Sequence, residues 1–190
     1  MSRLLPTAAA DTRPVLRRGG GLVVAGGLVF LVARPWLGGS AWAVPLLAAG
    51  CLALLVGALA VPTRVTDAPL GWGVPLAVGL VGVVAAGVVA GPVADRRVGV
   101  VAGRLAVVAA VAEEALFRRV LYDRLLRFGI VAAVGGTAVV FALVHLPAYG
   151  VAAMPVDLGA ALLLSWQRYA SGRWTVPAVT HAVANLLAVT

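Results

Sequence analysis

No charged residue occurs between Arg34 and Arg64, nor between Asp67 and Asp95. Each gap is long enough for a helix to cross the hydrocarbon core of a bilayer, which takes about 20 apolar residues. In lipid every backbone N–H and C=O must be paired within the segment, so these stretches read as helices, roughly 41–61 and 70–91, and not as strands. Pro45 and Pro75 fall near the helix starts, where a missing N–H costs little. The rest of the chain has the same character. Its 190 residues are 62% hydrophobic and 12% charged, against about 45–50% and about 25% in a soluble domain. That leaves too little polar surface to coat a globule, which excludes a soluble enzyme, a disordered tail and a disulfide-rich secreted module. Cys51 is the only cysteine, so no intramolecular disulfide can form.

The expected fold is therefore all-α, a polytopic transmembrane bundle of about seven spans. A polar leader (1–18) carries Arg3, Arg13, Arg17 and Arg18, and a first apolar stretch (19–37) is broken late by Arg34, which can snorkel to the interface. Cleavage after this stretch, near Ser40-Ala41-Trp42-Ala43, is conceivable but disfavoured by the spans that follow at once. A polar connection with Asp95, Arg96 and Arg97 leads to a fourth helix (105–126) whose second half is rich in charge. Further spans are expected at 130–146, from Asp157 to Arg168, and at 174–189. The chain divides into the leader, N-terminal transmembrane helices (19–97) and a C-terminal helical core (98–190). All fifteen basic residues are arginines, scattered without interleaved aromatics, so they read as topology-setting flanks and not as a nucleic-acid surface. They place the N-terminus in the cytoplasm of a multi-pass protein of the cell membrane. Trp36, Trp42, Trp72, Trp166 and Trp174 fall near span ends, as interfacial anchors do.

The chemistry is concentrated in a few residues. The chain has two Glu (Glu113, Glu114), two His (His145, His181) and one Asn (Asn185), all inside expected membrane helices. Burying such groups is costly, so they face a protein interior or a wet cavity. His181 and Asn185 are at i and i+4, as are Phe141 and His145, and Glu114 and Arg118; each pair shares a helix face. Glu113 is rotated by about 100° from Glu114, so one carboxylate can pair with Arg118 while the other looks elsewhere. A desolvated carboxylate suits a general base acting on water, and Asn and His can donate to a developing oxyanion. One carboxylate and two imidazoles (Glu113, His145, His181) could instead hold zinc with a water in the fourth place; the residues do not require the metal. There is no H-E-x-x-H and no G-x-S-x-G. Asp95, Asp123 and Asp157 read as interface or loop charges.

Glu113-Glu114-Ala-Leu-Phe-Arg118, Phe141-Ala-Leu-Val-His145 and His181-Ala-Val-Ala-Asn185 resemble the EExxxR, FxxxH and HxxxN motifs of the CPBP family, which comprises CAAX prenyl endopeptidases and bacteriocin-processing or immunity (Abi) proteins. The likeness covers roughly 98–190, including the lead-in Gly172-Arg173-Trp174-Thr175-Val176-Pro177. It implies an intramembrane endopeptidase acting on membrane-associated, lipidated or CAAX-like peptides. Glu113 would activate water with help from His145, and His181 and Asn185 would stabilise the oxyanion. Glu114 and Arg118 would form a supporting pair, and Phe141 would pack beside His145. Arg119 stands where many members have Gly, which bears on the shape of the cavity mouth. The implied partners are a membrane peptide or protein and the bilayer, with no nucleic acid. The competing readings are a non-catalytic immunity or scaffold protein of the same family, and a small transporter relaying protons. The four catalytic candidates are expected in one cavity, nearer the cytoplasmic side because Arg118 to Arg127 follow closely.

Overall fold

The computed structural model describes residues 13–37, 41–64, 66–90 and 100–189, all helices and connections. The leader up to residue 12, Ser40 and the connection with Asp95, Arg96 and Arg97 lie outside the described residues. The helices are α1 (Arg13–Leu37), α2 (Ala43–Ala60), α3 (Gly73–Ala90), α4 (Val100–Glu114), α5 (Tyr122–Leu125), α6 (Ile130–Tyr149), α7 (Met154–Ser171) and α8 (Thr175–Val189). Between α4 and α5 the chain continues without a break as a π-helix, Ala115–Leu121.

Among the described residues three stretches are long and apolar enough to cross a bilayer: Gly19–Leu37, Ala43–Ala60 and Ile130–Tyr149. Gly73–Val88 and Thr175–Ala188 are apolar but shorter, and α7 and the α4–α5 segment are interrupted by charge. Length and composition thus account for three of the expected seven crossings. The outer surface is apolar: Val81, Val88 and Val131 are 68%, 76% and 82% exposed, and Trp36, Trp42 and Trp72 also stand outward. Such a surface, in a chain with helices long and apolar enough to cross a bilayer, suits contact with lipid. The chain is a multi-pass membrane protein.

The α4–π–α5 segment is the axis of the bundle. α1 runs antiparallel to it, with Gly20 beside the Arg124 side chain, Gly27 beside Leu116, and Arg34 at Glu113. A Cβ at Gly27 would stand 2.7 Å from Leu54 and 2.8 Å from Leu116, so glycine there permits the close helix approach usual in membranes. α6 is also antiparallel to the axis, and Phe117 meets Phe141 edge to face at 5.1 Å. Leu31, Leu54, Leu116, Phe117, Phe141 and Val144 form the dry centre of this contact.

One end of the bundle is tied together by arginines. Arg119 Nη1 donates to the carbonyls of Ala58 and Val61, which end α2. That helix has no basic residue in its last turn to meet them. Arg168, almost wholly buried, donates from Nε to the Arg118 carbonyl at 2.9 Å and from Nη1 to Thr66 Oγ1 at 2.7 Å. It also lies 5.1 Å from the Tyr122 ring. Arg168 is therefore an interior cross-link and not the flanking charge expected from its place in the sequence. Gly172 ends α7 in the left-handed region (φ 65°), where glycine carries no Cβ penalty. A Cβ there would also stand 2.8 Å from the Thr66 carbonyl oxygen. Gly172→Ala should therefore destabilise the protein by about 1–3 kcal/mol, read as a lower midpoint of thermal unfolding in detergent.

Candidate functional site

Glu113 and Glu114 lie at the last turn of α4, where the α-helix gives way to the π-helix. Their directions separate as the 100° rotation requires. Glu114 is fully buried, and its Oε1 accepts from Arg118 Nη1 at 3.0 Å and from His181 Nδ1 at 2.9 Å. Arg118, also fully buried, sends Nη2 to the Ala161 carbonyl on α7 at 3.0 Å. Its guanidinium carbon lies 4.8 Å from the Phe141 ring centroid, a cation–π contact. The expected Glu114–Arg118 pair is thus present, and it joins α4, the π-helix, α7 and α8.

Glu113 looks the other way. Its Oε2 faces His145 Nε2 at 3.6 Å, and its Oε1 accepts from Arg34 Nη1. Both Glu113 and His145 are buried. His145 Nδ1 lies 2.8 Å from the Phe141 carbonyl oxygen. A carbonyl can only accept, so Nδ1 carries a hydrogen, and Nε2 is the ring nitrogen turned toward Glu113. Nε2 and the carboxylate oxygen face each other across 3.6 Å, too far for a direct hydrogen bond. A water can bridge the two.

Phe141 organises both imidazoles. Its ring stacks on His145 at 4.2 Å and meets His181 edge to face at 5.8 Å. Outward from His145, the ring of Tyr149 lies nearly parallel at 5.6 Å. Glu113, Glu114, Arg118, Phe141, His145 and His181 therefore form one contiguous cluster. Asn185 stands apart from it: its Nδ2 donates to the Ala106 carbonyl at 3.2 Å, about two turns back along α4 from Glu113. On α8 it is one turn from His181.

Two placements differ from the sequence expectations. Arg34 does not snorkel outward; it turns inward onto Glu113, because α1 packs antiparallel against the axis with Arg34 three residues from its end. The cluster also lies toward the bundle end where α1 and α6 finish, beside Arg34 and Tyr149. The arginine-rich end, with Arg64, Arg119 and Arg124, is the opposite one. Arg118 is no guide to that end, since it is an interior pairing residue. Asp157, read as a loop charge, lies within electrostatic reach of His145, Arg34 and Glu113. Arg34 and Asp157 are the site neighbours that the motifs do not reveal. The one hint is that each is a charge beside or within an apolar run. The proposed zinc donors are not assembled: His181 is turned to Glu114, and Arg34 takes an oxygen of Glu113. Among the described residues no three His, Cys, Asp or Glu side chains form a metal-holding group. The set does not fit a three-ligand zinc centre.

Residues 95–187 match the family described as type II CAAX prenyl endopeptidase, Rce1-like. Over this segment the chain is similar to that family. Searches of curated proteins and of solved structures return no match. The matched segment holds all three motifs, whereas Arg34 lies upstream of it, on α1.

Proposed function

We propose that the chain is an intramembrane endopeptidase that hydrolyses peptide bonds of membrane-associated, CAAX-like peptides with a water activated by Glu113. The observation that carries this reading is the Glu113 Oε2–His145 Nε2 pair, two buried groups 3.6 Å apart, which a shared water bridges by donating to both when the imidazole is neutral. With both water hydrogens so directed, the oxygen lone pairs face a substrate carbonyl. The water oxygen bonds to the carbonyl carbon as Glu113 takes one proton. The tetrahedral intermediate then collapses with cleavage of the C–N bond, and the proton passes to the departing amine.

Family resemblance assigns the oxyanion to His181 and Asn185. His181 gives its Nδ1 hydrogen to Glu114, so its Nε2 donates in the imidazolium form only. Asn185 gives one amide hydrogen to Ala106 and has a second to give. The proposal includes about seven crossings with a cytoplasmic N-terminus. With that orientation the arginine-rich end is inside, and the Glu113–His145 pair sits toward the outer half.

The test is cleavage of a farnesylated peptide ending in Cys-Val-Val-Ser by the purified chain in phospholipid vesicles. His145→Ala should slow cleavage by about 10²–10⁴-fold, while the protein still accumulates and remains helical. An unchanged rate in the variant would remove His145 from the chemistry. No cleavage by the parent protein would favour the non-catalytic family role, and a proton flux abolished by Glu113→Gln would favour the transporter.

A further inference from the structure

We propose that Arg34 is a positioning residue for the reaction: its guanidinium fixes the Glu113 carboxylate so that Oε2 is the oxygen that takes the proton from water. This deepens the peptidase reading and rests on it. A carboxylate has two equivalent oxygens, and the torsion that turns them is broad and roughly two-fold. A glutamate without a fixed partner therefore aims neither oxygen. Arg34 Nη1 donates to Oε1, and the other oxygen, Oε2, then faces His145 Nε2 at 3.6 Å. The imidazole is fixed on its own side by the bond from Nδ1 to the Phe141 carbonyl and by the stacked Phe141 ring. Both borders of the place for a water are thus held, one from α1 and one from α6.

The surroundings leave this task to Arg34. Glu113 is 3% exposed, and an ionised carboxylate so enclosed is costly without a paired charge. The ionisable side chains that act on it are Arg34 on α1, Cys51 on α2, His145 on α6, Asp157 on α7, His181 on α8 and Arg118 on the π-helix. Arg118 is committed to Glu114 and the Ala161 carbonyl, and His181 to Glu114. The imidazoles are cations only when protonated. Among the described residues the guanidinium bonded to Glu113 is that of Arg34, which keeps its charge at any working pH. The contact is not what docks α1: Leu31 and Gly27, about one and two turns back along that helix, pack against the axis and α2. Arg34 also lies outside residues 95–187. The helices that carry the three motifs thus take the partner of their water-activating carboxylate from a helix beyond the family match.

The experiment measures kcat and KM for the farnesylated Cys-Val-Val-Ser peptide with the full chain in phospholipid vesicles. It compares the parent, Arg34→Ala and Arg34→Lys, and adds methylguanidinium at a concentration that leaves the parent rate unchanged. Arg34→Ala should lower kcat by about 10²-fold, the scale of a small misplacement of a reacting group. KM should stay within about twofold of the parent, as for a group that makes no contact with the substrate. Arg34→Lys should keep part of the rate, because it returns the charge without the planar fork. Methylguanidinium should raise the Arg34→Ala rate by about tenfold, by refilling the charge-assisted bond to Oε1. Rescue by either cation supports the role, since neither repairs a displaced helix. A parent-like kcat in Arg34→Ala overturns the proposal. So does a change confined to KM, because Arg34 would then touch the substrate. So does a loss of kcat that neither Arg34→Lys nor methylguanidinium relieves, because Arg34 would then serve packing alone. Each of those three results leaves the peptidase reading standing, whereas no cleavage by the parent protein sinks that reading and the positioning role with it.

Discussion

Arg118→Ala should destabilise the folded chain by about 3–5 kcal/mol, the cost of leaving one member of a buried ion pair without its partner. Glu114 is fully buried and would keep only His181, while its Oε2 already has no partner among the described residues. The same substitution releases the Ala161 carbonyl on α7 and the cation–π contact with Phe141. Arg118→Lys is not conservative here, since an ammonium lacks the planar fork that serves Glu114 and Ala161 from separate nitrogens. A Glu114→Leu, Arg118→Met double variant should lose less than Arg118→Ala, because no buried charge is stranded. Thermal unfolding in detergent and accumulation in the membrane measure all three. A single variant within about 0.5 kcal/mol of the parent, the range of surface substitutions, would show that water reaches Glu114 and that the pair is not the buttress described.

The membrane character and the helices were legible because charge-free length is a direct physical signal: α2 (Ala43–Ala60) and α3 (Gly73–Ala90) lie within the stretches read as 41–61 and 70–91. The Glu114–Arg118 pair was legible for the same kind of reason, since i,i+4 spacing fixes adjacency on any helix. What the sequence does not carry is rotation between helices. Arg34 near the end of an apolar run is equally compatible with an outward and an inward side chain. The choice is made by tertiary contacts, among them Gly27 against Leu54 and Leu116. Arg168 reads as a flanking charge because burial of an arginine depends on a partner from another segment. For Arg168 those partners are the Arg118 carbonyl and Thr66. The π-helix has no sequence signature either. Its i→i+5 pattern, seen where Tyr122 N–H bonds the Phe117 carbonyl, follows directly after the two glutamates, and such segments recur at functional positions. Asn185 shares a face with His181, as spacing predicts, but spacing could not foretell that Ala106 would claim its amide.

The adjacent glutamates should separate cleanly under the same mild change. Glu113→Gln keeps the shape of the side chain and removes its capacity to take a proton, so cleavage of the farnesylated peptide should fall by about 10²–10⁴-fold. Its effect on stability should be small, because the partner it abandons is Arg34, partly exposed near the end of α1 and free to extend toward the interface. Glu114→Gln is the opposite case. It strands the guanidinium of Arg118, whose side chain is fully enclosed, and should cost about 3–5 kcal/mol, so the protein should unfold early or fail to accumulate. Unfolding curves and kcat/KM for the two purified variants decide the matter together. If Glu113→Gln cleaves at the parent rate, the water-activating carboxylate is elsewhere. If Glu113→Gln is instead the one that unfolds, its carboxylate is structural and the Arg34 contact is a clasp. The division of labour follows from a single turn of geometry. Neighbouring residues on one helix point in different directions, so one carboxylate can be locked among Arg118 and His181 while the other faces His145 and Arg34.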